Sequence, residues 1–276
     1  MAAIFKTLNI TKPTDYTISS WLLLGACIQC ILVATLPRNL SLLPPIIVLG
    51  YRILRSYLVA TGHLPDGLLS EAYHGRQTWQ IPTSRDGSTT KSSSESIVVL
   101  VLAATWNHPN GRFSPGSSDL GGYFTKMWDD AEAIREKYGF LGNTPSLVVE
   151  ASGDRPDGQG YTVVYLSYWK SLEGLGVFAH AKPHMKGQLW WEKGAGNEFP
   201  HIGIMHETYE VPAGSWENVF HNFRPFGISN AKYPVSGKAT GGEDSIERAQ
   251  VEWVSGLQSA DKKDWKTMLR RMGRHI

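Results

Sequence analysis

Ile97-Val-Val-Leu-Val-Leu-Ala-Ala-Thr-Trp106 is an unbroken run of apolar and β-branched residues. Such a run reads as a central strand, covered on both faces, and the elements around it must build a layered domain. Asn107-His-Pro-Asn-Gly111 follows as a turn cluster. Asp119 is placed to cap a helix running to Tyr138. Phe124, Met127, Trp128, Ala131 and Ile134 share one face of it, and Gly139 supplies its stop. Next come a short strand from Ser146 to Glu150, a Gly/Asp/Pro-rich hairpin loop from Ser152 to Gly160, and a strand from Tyr161 to Tyr168. Ser171 can cap a second helix with Leu172, Leu175 and Phe178 inward, and Pro183 bends or restarts that helix just before His184. A fourth strand spans Ile202 to Val211.

The order over residues 97–235 is β-α-β-β-α-β, an α+β domain of the ferredoxin-like type. Trp216 to Phe223 adds one extended piece. Within the tail, 236–276, Ile246 to Met272 is expected to form a C-terminal amphipathic helix. A lone unit of this kind has helices on one face of its sheet only. The other face carries large apolar and aromatic residues, so a second copy is expected to cover it, as a homodimer closing a dimeric α/β barrel. Pockets then form between sheet and helices.

Residues 1–58 are a different kind of sequence. No charge occurs from Tyr16 to Pro37, and a spanning helix needs about 20 apolar residues. The run, about 18–36, is long for a signal peptide, and no small-x-small cleavage site follows it. A second apolar segment, about 40–54, is split by Pro44-Pro45 and suits a re-entrant or interfacial position better than a second span. A single-pass membrane anchor with the main domain in the cytosol is expected. Arg38, Arg52 and Arg55 against Lys6 and Lys12 give too slight a bias to orient it. Residues 59–96 read as a connector. Gly62, Pro65 and Gly67 break structure there, and the polar run from Thr83 to Ser96 has little to bury, so a mobile loop is expected.

With 27 Lys+Arg against 25 Asp+Glu there is no concentrated basic face for nucleic acid. A milder cluster, Lys262, Lys263, Lys266, Arg270, Arg271 and Arg274, reads as a solvated helical face, with anionic lipid headgroups as the alternative. The two cysteines, Cys27 and Cys30, lie inside the apolar run, where thiolate chemistry has no easy route. No disulfide framework follows from them, consistent with a cytosolic domain.

The candidate site begins with His201-Ile-Gly-Ile-Met-His-Glu-Thr-Tyr-Glu-Val211, which reads as a buried strand carrying a polar cluster. His206 and Thr208 share one face of it; Glu207 and Tyr209 share the other. If His206 faces the helices it can meet His184 in one pocket. A core histidine satisfied by a neighbour is the plain alternative. Trp106, Asn107 and His108 sit at a strand end, a common place for site residues. His180 stands four residues before His184, but Pro183 between them spoils the helical geometry. His221 is assigned to an interface, His63 and His74 to the connector.

No H-x-H, H-E-x-x-H or carboxylate-rich cluster occurs, so a metal-chelating site is not expected. No G-x-G-x-x-G follows a strand, so tightly bound NAD or flavin is not expected. Three readings stand. In one, an imidazole binds haem iron and the other is a distal acid or base. In the second, no metal takes part: His206, Trp106 and Asn107 act as general base and positioning groups for an electron-rich organic substrate that itself reacts with oxygen. In the third, the domain binds a lipophilic ligand without turnover.

Five blocks then carry a resemblance: Ala104-Thr-Trp-Asn-His-Pro-Asn-Gly111, Tyr168-Trp-Lys-Ser-Leu-Glu173, Phe178-Ala-His180, Met205-His-Glu-Thr-Tyr-Glu-Val-Pro-Ala-Gly214 and Trp216-Glu-Asn218. They resemble the microbial group called "monooxygenase family protein", over most of the chain. Its fungal members carry a similar Pro-Pro-containing apolar N terminus and often sit in secondary-metabolite gene clusters. The resemblance implies a monooxygenase-like oxidoreductase that tailors a lipophilic secondary metabolite. The chain is also distantly similar to haem aldoxime dehydratases, which have a Trp-Arg-Ser block, a Ser-His-Pro-x-His stretch and a Tyr-His-Glu-Val block. That likeness implies His184 as haem ligand and His206 as distal catalytic group, hence a haem-dependent dehydratase or lyase. The chain departs from the pattern: it reads Ala179-His-Ala-Lys-Pro-His184, has Met205 before the second histidine, and holds one ferredoxin-like unit where those enzymes look built from two.

Overall fold

The computed structural model describes residues 16, 18–149, 161–236 and 251–274. The expected hairpin loop from Ser152 to Gly160 lies outside them, as do Lys6, Lys12 and residues 246–250. The chain divides into two compact units, at Ala72 and Tyr73.

Among the described residues the first unit holds two long helices, α1 (Ile18–Thr35) and α2 (Leu43–Ala60), with a single helical turn, Arg38–Ser41, between them and another, Gly67–Ser70, after them. Neither long helix buries a side chain, and both are long and apolar enough to cross a membrane. The second apolar segment therefore differs from expectation. It runs to Ala60, and its prolines do not split it, because they occupy the first helical turn, where a missing N–H costs nothing. Gln29 Nε2 donates to the Ser41 carbonyl at 3.0 Å, which satisfies a polar side chain set among apolar ones.

The second unit contains, in chain order, β1 (Arg76–Trp79), β2 (Ile97–Trp106), α3 (Ser117–Ala133), β3 (Phe140–Asn143), β4 (Leu147–Val149), β5 (Tyr161–Trp169), α4 (Leu172–Ala179), α5 (Lys182–Trp190), β6 (Ile202–Val211), β7 (Phe220–His221), β8 (Lys232–Ser236), β9 (Val251–Ser255), β10 (Leu257–Ser259) and a last turn, α6 (Met268–Arg271). The main sheet has the order β3-β5-β2-β6, with β4 also on β5, and its pairs are antiparallel. Strands β2 to β6 with the helices between them form the expected β-α-β-β-α-β unit. β2 is its centre, paired along its length with β5 on one side and β6 on the other.

The helix-facing core gathers on Trp169, which is fully buried. Phe178 lies 4.7 Å and Phe140 4.9 Å from it, ring centre to ring centre, and its Nε1 donates to Ser167 Oγ at 2.9 Å. Ser171 Oγ accepts from the Gly174 N–H at 3.1 Å, the expected cap of α4. Position 174 needs glycine because a Cβ there would come within 2.2 Å of the Tyr138 carbonyl oxygen. Asp119 does not cap α3. The cap residue is Gly116, and Asp119 sits in the first turn, where its charge favours the helix N-terminus.

Three expectations are corrected here. The connector is not one throughout: β1 pairs with β10 and β7, and Thr78, Trp79, Gln80 and Ile81 are buried. The polar run that follows is pinned, not loose, since Gln80 Oε1 accepts from the Ser93 N–H at 2.7 Å. The C-terminal segment is not a long helix. Val251-Glu-Trp-Val-Ser255 alternates with strand period and pairs with β8. Gly256 then lets the backbone pass so close to β1 that a Cβ would meet the Gln80 carbonyl oxygen at 1.8 Å. Finally, β6 is an edge strand, exposed from Ile204 to Glu210, not a buried one. Charged side chains on such a strand discourage stray pairing, which accounts for Glu207 and Glu210 without any chemistry.

These added strands cover part of the sheet's second face. Ile97, Tyr168 and Val211 pack there against Trp79, Ile81, Trp216 and Tyr233. Trp169→Ala is expected to lower stability by about 3–5 kcal/mol in denaturant unfolding, and Gly174→Ala to lower it by moving the Tyr138–α4 contact. Unchanged midpoints for both would contradict this account of the core.

Candidate functional site

Side chains on β6 alternate, and the register of β6 on β2 decides which of them meet the helices. His206 lies opposite Leu102, and Ile204 opposite Ala104. Leu102, Ile204 and His206 therefore look toward α3 and α5, and all but Ala104 line one cavity of about 370 Å³. The helix side of that cavity is made by Leu120, Tyr123, Phe124 and Met127 from α3 and by Pro183, His184, Gly187 and Gln188 from α5, with Trp191 just beyond. Most of this lining is apolar, and the size suits a small organic ligand.

His184 reaches the cavity because α4 ends at Ala179 and α5 begins at Lys182. Pro183 occupies the first turn of α5, as the restart expected from it requires. The His184 ring lies 5.8 Å from Phe178, which in turn packs on Trp169. Burial pushes its pKa below the usual imidazole range. The Ala179 carbonyl opposes that shift, and the neighbouring His206 and His180 add to it. Its Nδ1 is buried and makes no hydrogen bond of proper geometry. Burial thus favours the neutral ring, the form that can bind a metal. His206 is the more open of the two, at the sheet edge where the cavity meets solvent.

The structure brings His184 and His206 to one cavity, and leaves Trp106, Asn107 and His108 out of its lining. Trp106 is buried in a neighbouring core cluster with Ala104, Leu120, Val163 and Ile202. Asn107 is exposed, its N–H donating to the His201 carbonyl at 2.7 Å. His108 belongs to a surface turn: its Nδ1 accepts from the Asn110 N–H at 3.1 Å, and its ring lies 4.9 Å from that of His201. His180 is exposed, its Nδ1 on the carbonyl of Gly176, and it does not line the cavity. Among the described residues no three His, Cys, Asp or Glu side chains form a chelating group.

Tyr123, Gly187, Gln188 and Trp191 are lining residues that the sequence did not single out. Gly187 makes room for the cavity wall, since a Cβ there would sit 3.2 Å from Tyr123 Cβ. Trp191 opens a kinked segment, Trp191–Ala195, in which Gly194 leaves helical geometry at φ 156°. Spacing hinted at Tyr123 alone, which precedes Met127 by one helical turn.

Fold and cavity together define a ferredoxin-like α+β protein with two imidazoles in one apolar site. Residues 97–228 match the family described as Monooxygenase af470-like. Over 263 residues the chain is 28% identical to Monooxygenase af470 of Aspergillus fumigatus, which spans 95% of this chain and 89% of that protein. These matches bear out the resemblance to the monooxygenase group and support an enzyme of monooxygenase type. Among solved structures the chain is similar to aldoxime dehydratase OxdRE in complex with butyraldoxime, at 11% identity and a TM-score of 0.34, over 54% of this chain and 34% of that one. It is also similar to SnoaB, a cofactor-independent oxygenase from Streptomyces nogalater, at 9% identity and a TM-score of 0.26, over 42% of this chain and 92% of that one. Likeness at this level does not bear on the chemistry.

A depressed His184 pKa has a consequence for stability. On acidification the unfolded chain takes up this proton first, near its ordinary pKa of about 6.5, while the folded chain resists. Stability is whole above that pH and declines as pH falls toward the folded value. His184→Phe should therefore lose less stability between neutral and mildly acid pH than the natural chain does in denaturant unfolding. Identical pH slopes would contradict the burial argument.

Proposed function

We propose that this protein is a monooxygenase-type enzyme that oxidises a lipophilic, electron-rich secondary metabolite with molecular oxygen, the substrate itself supplying the electrons. One observation carries the proposal: His206 on the sheet wall and His184 on the helix wall share a cavity whose remaining lining is mostly apolar. His206, open to solvent, is the general base that removes a proton from an activated methylene and passes it outward. His184, held neutral, orients the substrate's polar group. The carbanion so formed gives its electrons to oxygen. One oxygen atom stays as a carbonyl, and the other leaves as water with the two methylene hydrogens, so R₂CH₂ + O₂ gives R₂C=O + H₂O.

A haem-dependent dehydratase is the second reading, favoured by the buried, unpartnered Nδ1 of His184. A neutral imidazole is the iron-ligating form. His184 would hold the group, and His206 would move a proton on the substrate side. Haem would supply a Lewis-acidic iron.

The two long apolar helices support a membrane anchor, with the second unit in the cytosol and a substrate drawn from the lipid phase. α2, at 18 residues, is long enough for a second span. The part of the sheet's second face left open carries Met205 and Tyr209, 42% and 50% exposed, beside Val101 and Leu166. That patch supports a homodimer.

His206→Ala should lower kcat by about 10²–10⁴-fold, with one oxygen consumed per product formed. The purified active enzyme should show no Soret band. A Soret band that disappears in His184→Ala would decide for haem, and full activity in His206→Ala would remove the base from the proposal.

A further inference from the structure

The small sheet β10-β1-β7 has one end at which three chain segments meet. Pairing of Gln77 with Ser259 and of Arg76 with His221 puts the start of β1, the end of β10 and the end of β7 side by side. The chain enters the second unit there, at Tyr73, whose N–H donates to the Phe223 carbonyl at 2.9 Å. β7 leaves into Asn222–Phe226, and Asn222 is tied back to Gly75 through its side chain at 3.0 Å. β10 leaves into the turn 260–268, fixed by Arg76, which donates to the Lys266 carbonyl at 3.1 Å. Buried Trp265 anchors that turn, its carbonyl accepting from Arg271 Nη1 at 2.9 Å.

The side chains shown at this end are of two kinds. Lys262, Lys263, Lys266 and Arg224 are exposed cations. Against them stand Asp264 and Asp261, the latter beside Arg76 at 3.8 Å. Phe223 and Met268 are 53% and 54% exposed, and Phe223 meets the ring of Phe226 edge to face at 6.2 Å. Cations around exposed apolar tips match an anionic lipid surface, where headgroups pair with lysine and the tips enter the acyl boundary. The sequence alone read these lysines as a solvated helical face. Among the described residues these lysines sit on a turn and not on such a helix, and that turn lies at the end where the chain enters the unit.

We propose that this end of the second unit, Phe223–Arg224 with Lys262–Met268, lies on an anionic phospholipid bilayer. The proposal rests on the membrane reading of the two apolar helices. It adds that the second unit has a set orientation on the bilayer, held by charge, instead of swinging freely on its tether.

The test uses the full chain with Cys27→Ser and Cys30→Ser. Single cysteines are placed by Met268→Cys, by Phe223→Cys, or by Arg85→Cys beyond the opposite end of β1. Each is labelled with an environment-sensitive fluorophore and reconstituted into vesicles of phosphatidylcholine, with or without phosphatidylserine. Positions 268 and 223 should gain at least about twofold in emission in the anionic vesicles and be quenched by nitroxide-labelled lipid, while position 85 stays unchanged. The gain should vanish in high salt, and in the triple variant Lys262→Glu, Lys263→Glu, Lys266→Glu. Equal responses at all three positions, or the same response at 268 in neutral and anionic vesicles, would overturn the proposal. Alkaline carbonate extraction reports on the helices separately. A chain stripped from the vesicles by it, yet giving the salt-sensitive signal at 268, would sink the anchor and leave this face standing.

Discussion

Register between β6 and β2 is the constraint on which the site depends. Leu102 stands opposite His206 and Leu100 opposite Thr208. A slip of one residue would turn His206 away from the helices and carry Met205 and Glu207 into the cavity. The register is specified from the β2 side, because β2 is held along its length by β5 as well, and its helix-facing side chains are locked into the aromatic core. β6 itself contributes little to the choice, being exposed over most of its length.

The second imidazole is placed by different physics. A helix break before Pro183 aims His184 at the cavity, and the packing of Trp169 on Phe178 and of Phe178 on His184 fixes how deep it sits. Depth then sets charge, since burial disfavours the imidazolium. The two histidines therefore differ in kind: one is half-buried where the neutral form is favoured, the other lies at the lip with access to solvent. That difference permits separate roles for two chemically identical side chains.

Much of this was legible in the sequence where the signal is local. The apolar run of β2, the helical face of α3, the cap at Ser171 and the restart at Pro183 each follow from spacing within a few residues. What escaped depends on partners far along the chain. β1 reads as a connector because four residues carry no periodic signal, and its partner Ser259 lies far downstream of Gln77. Val251, Trp253 and Val254 read as part of a helical face, since a short apolar pattern bounded by charges fits either period. At the site, His184 and His206 could be paired from strand alternation and a helix break. Gly187 and Trp191 could not, since they meet the cavity only through the closeness of α3 to α5 and the kinked segment after Trp190. Trp106, Asn107 and His108 drew attention as a strand end, but packing and turn hydrogen bonds occupy them instead.

Whether two imidazoles share one cavity can be measured without knowing the substrate. Histidine side-chain resonances, followed by NMR across a pH titration of the protein isotopically labelled in its imidazoles, report the His184 pKa in the natural chain and in His206→Ala. The account predicts a value below the ordinary imidazole pKa in the natural chain, and a rise when the His206 ring is removed. A His184 pKa that is ordinary in the natural chain and unmoved by His206→Ala would show that the two rings do not meet, and would contradict the site.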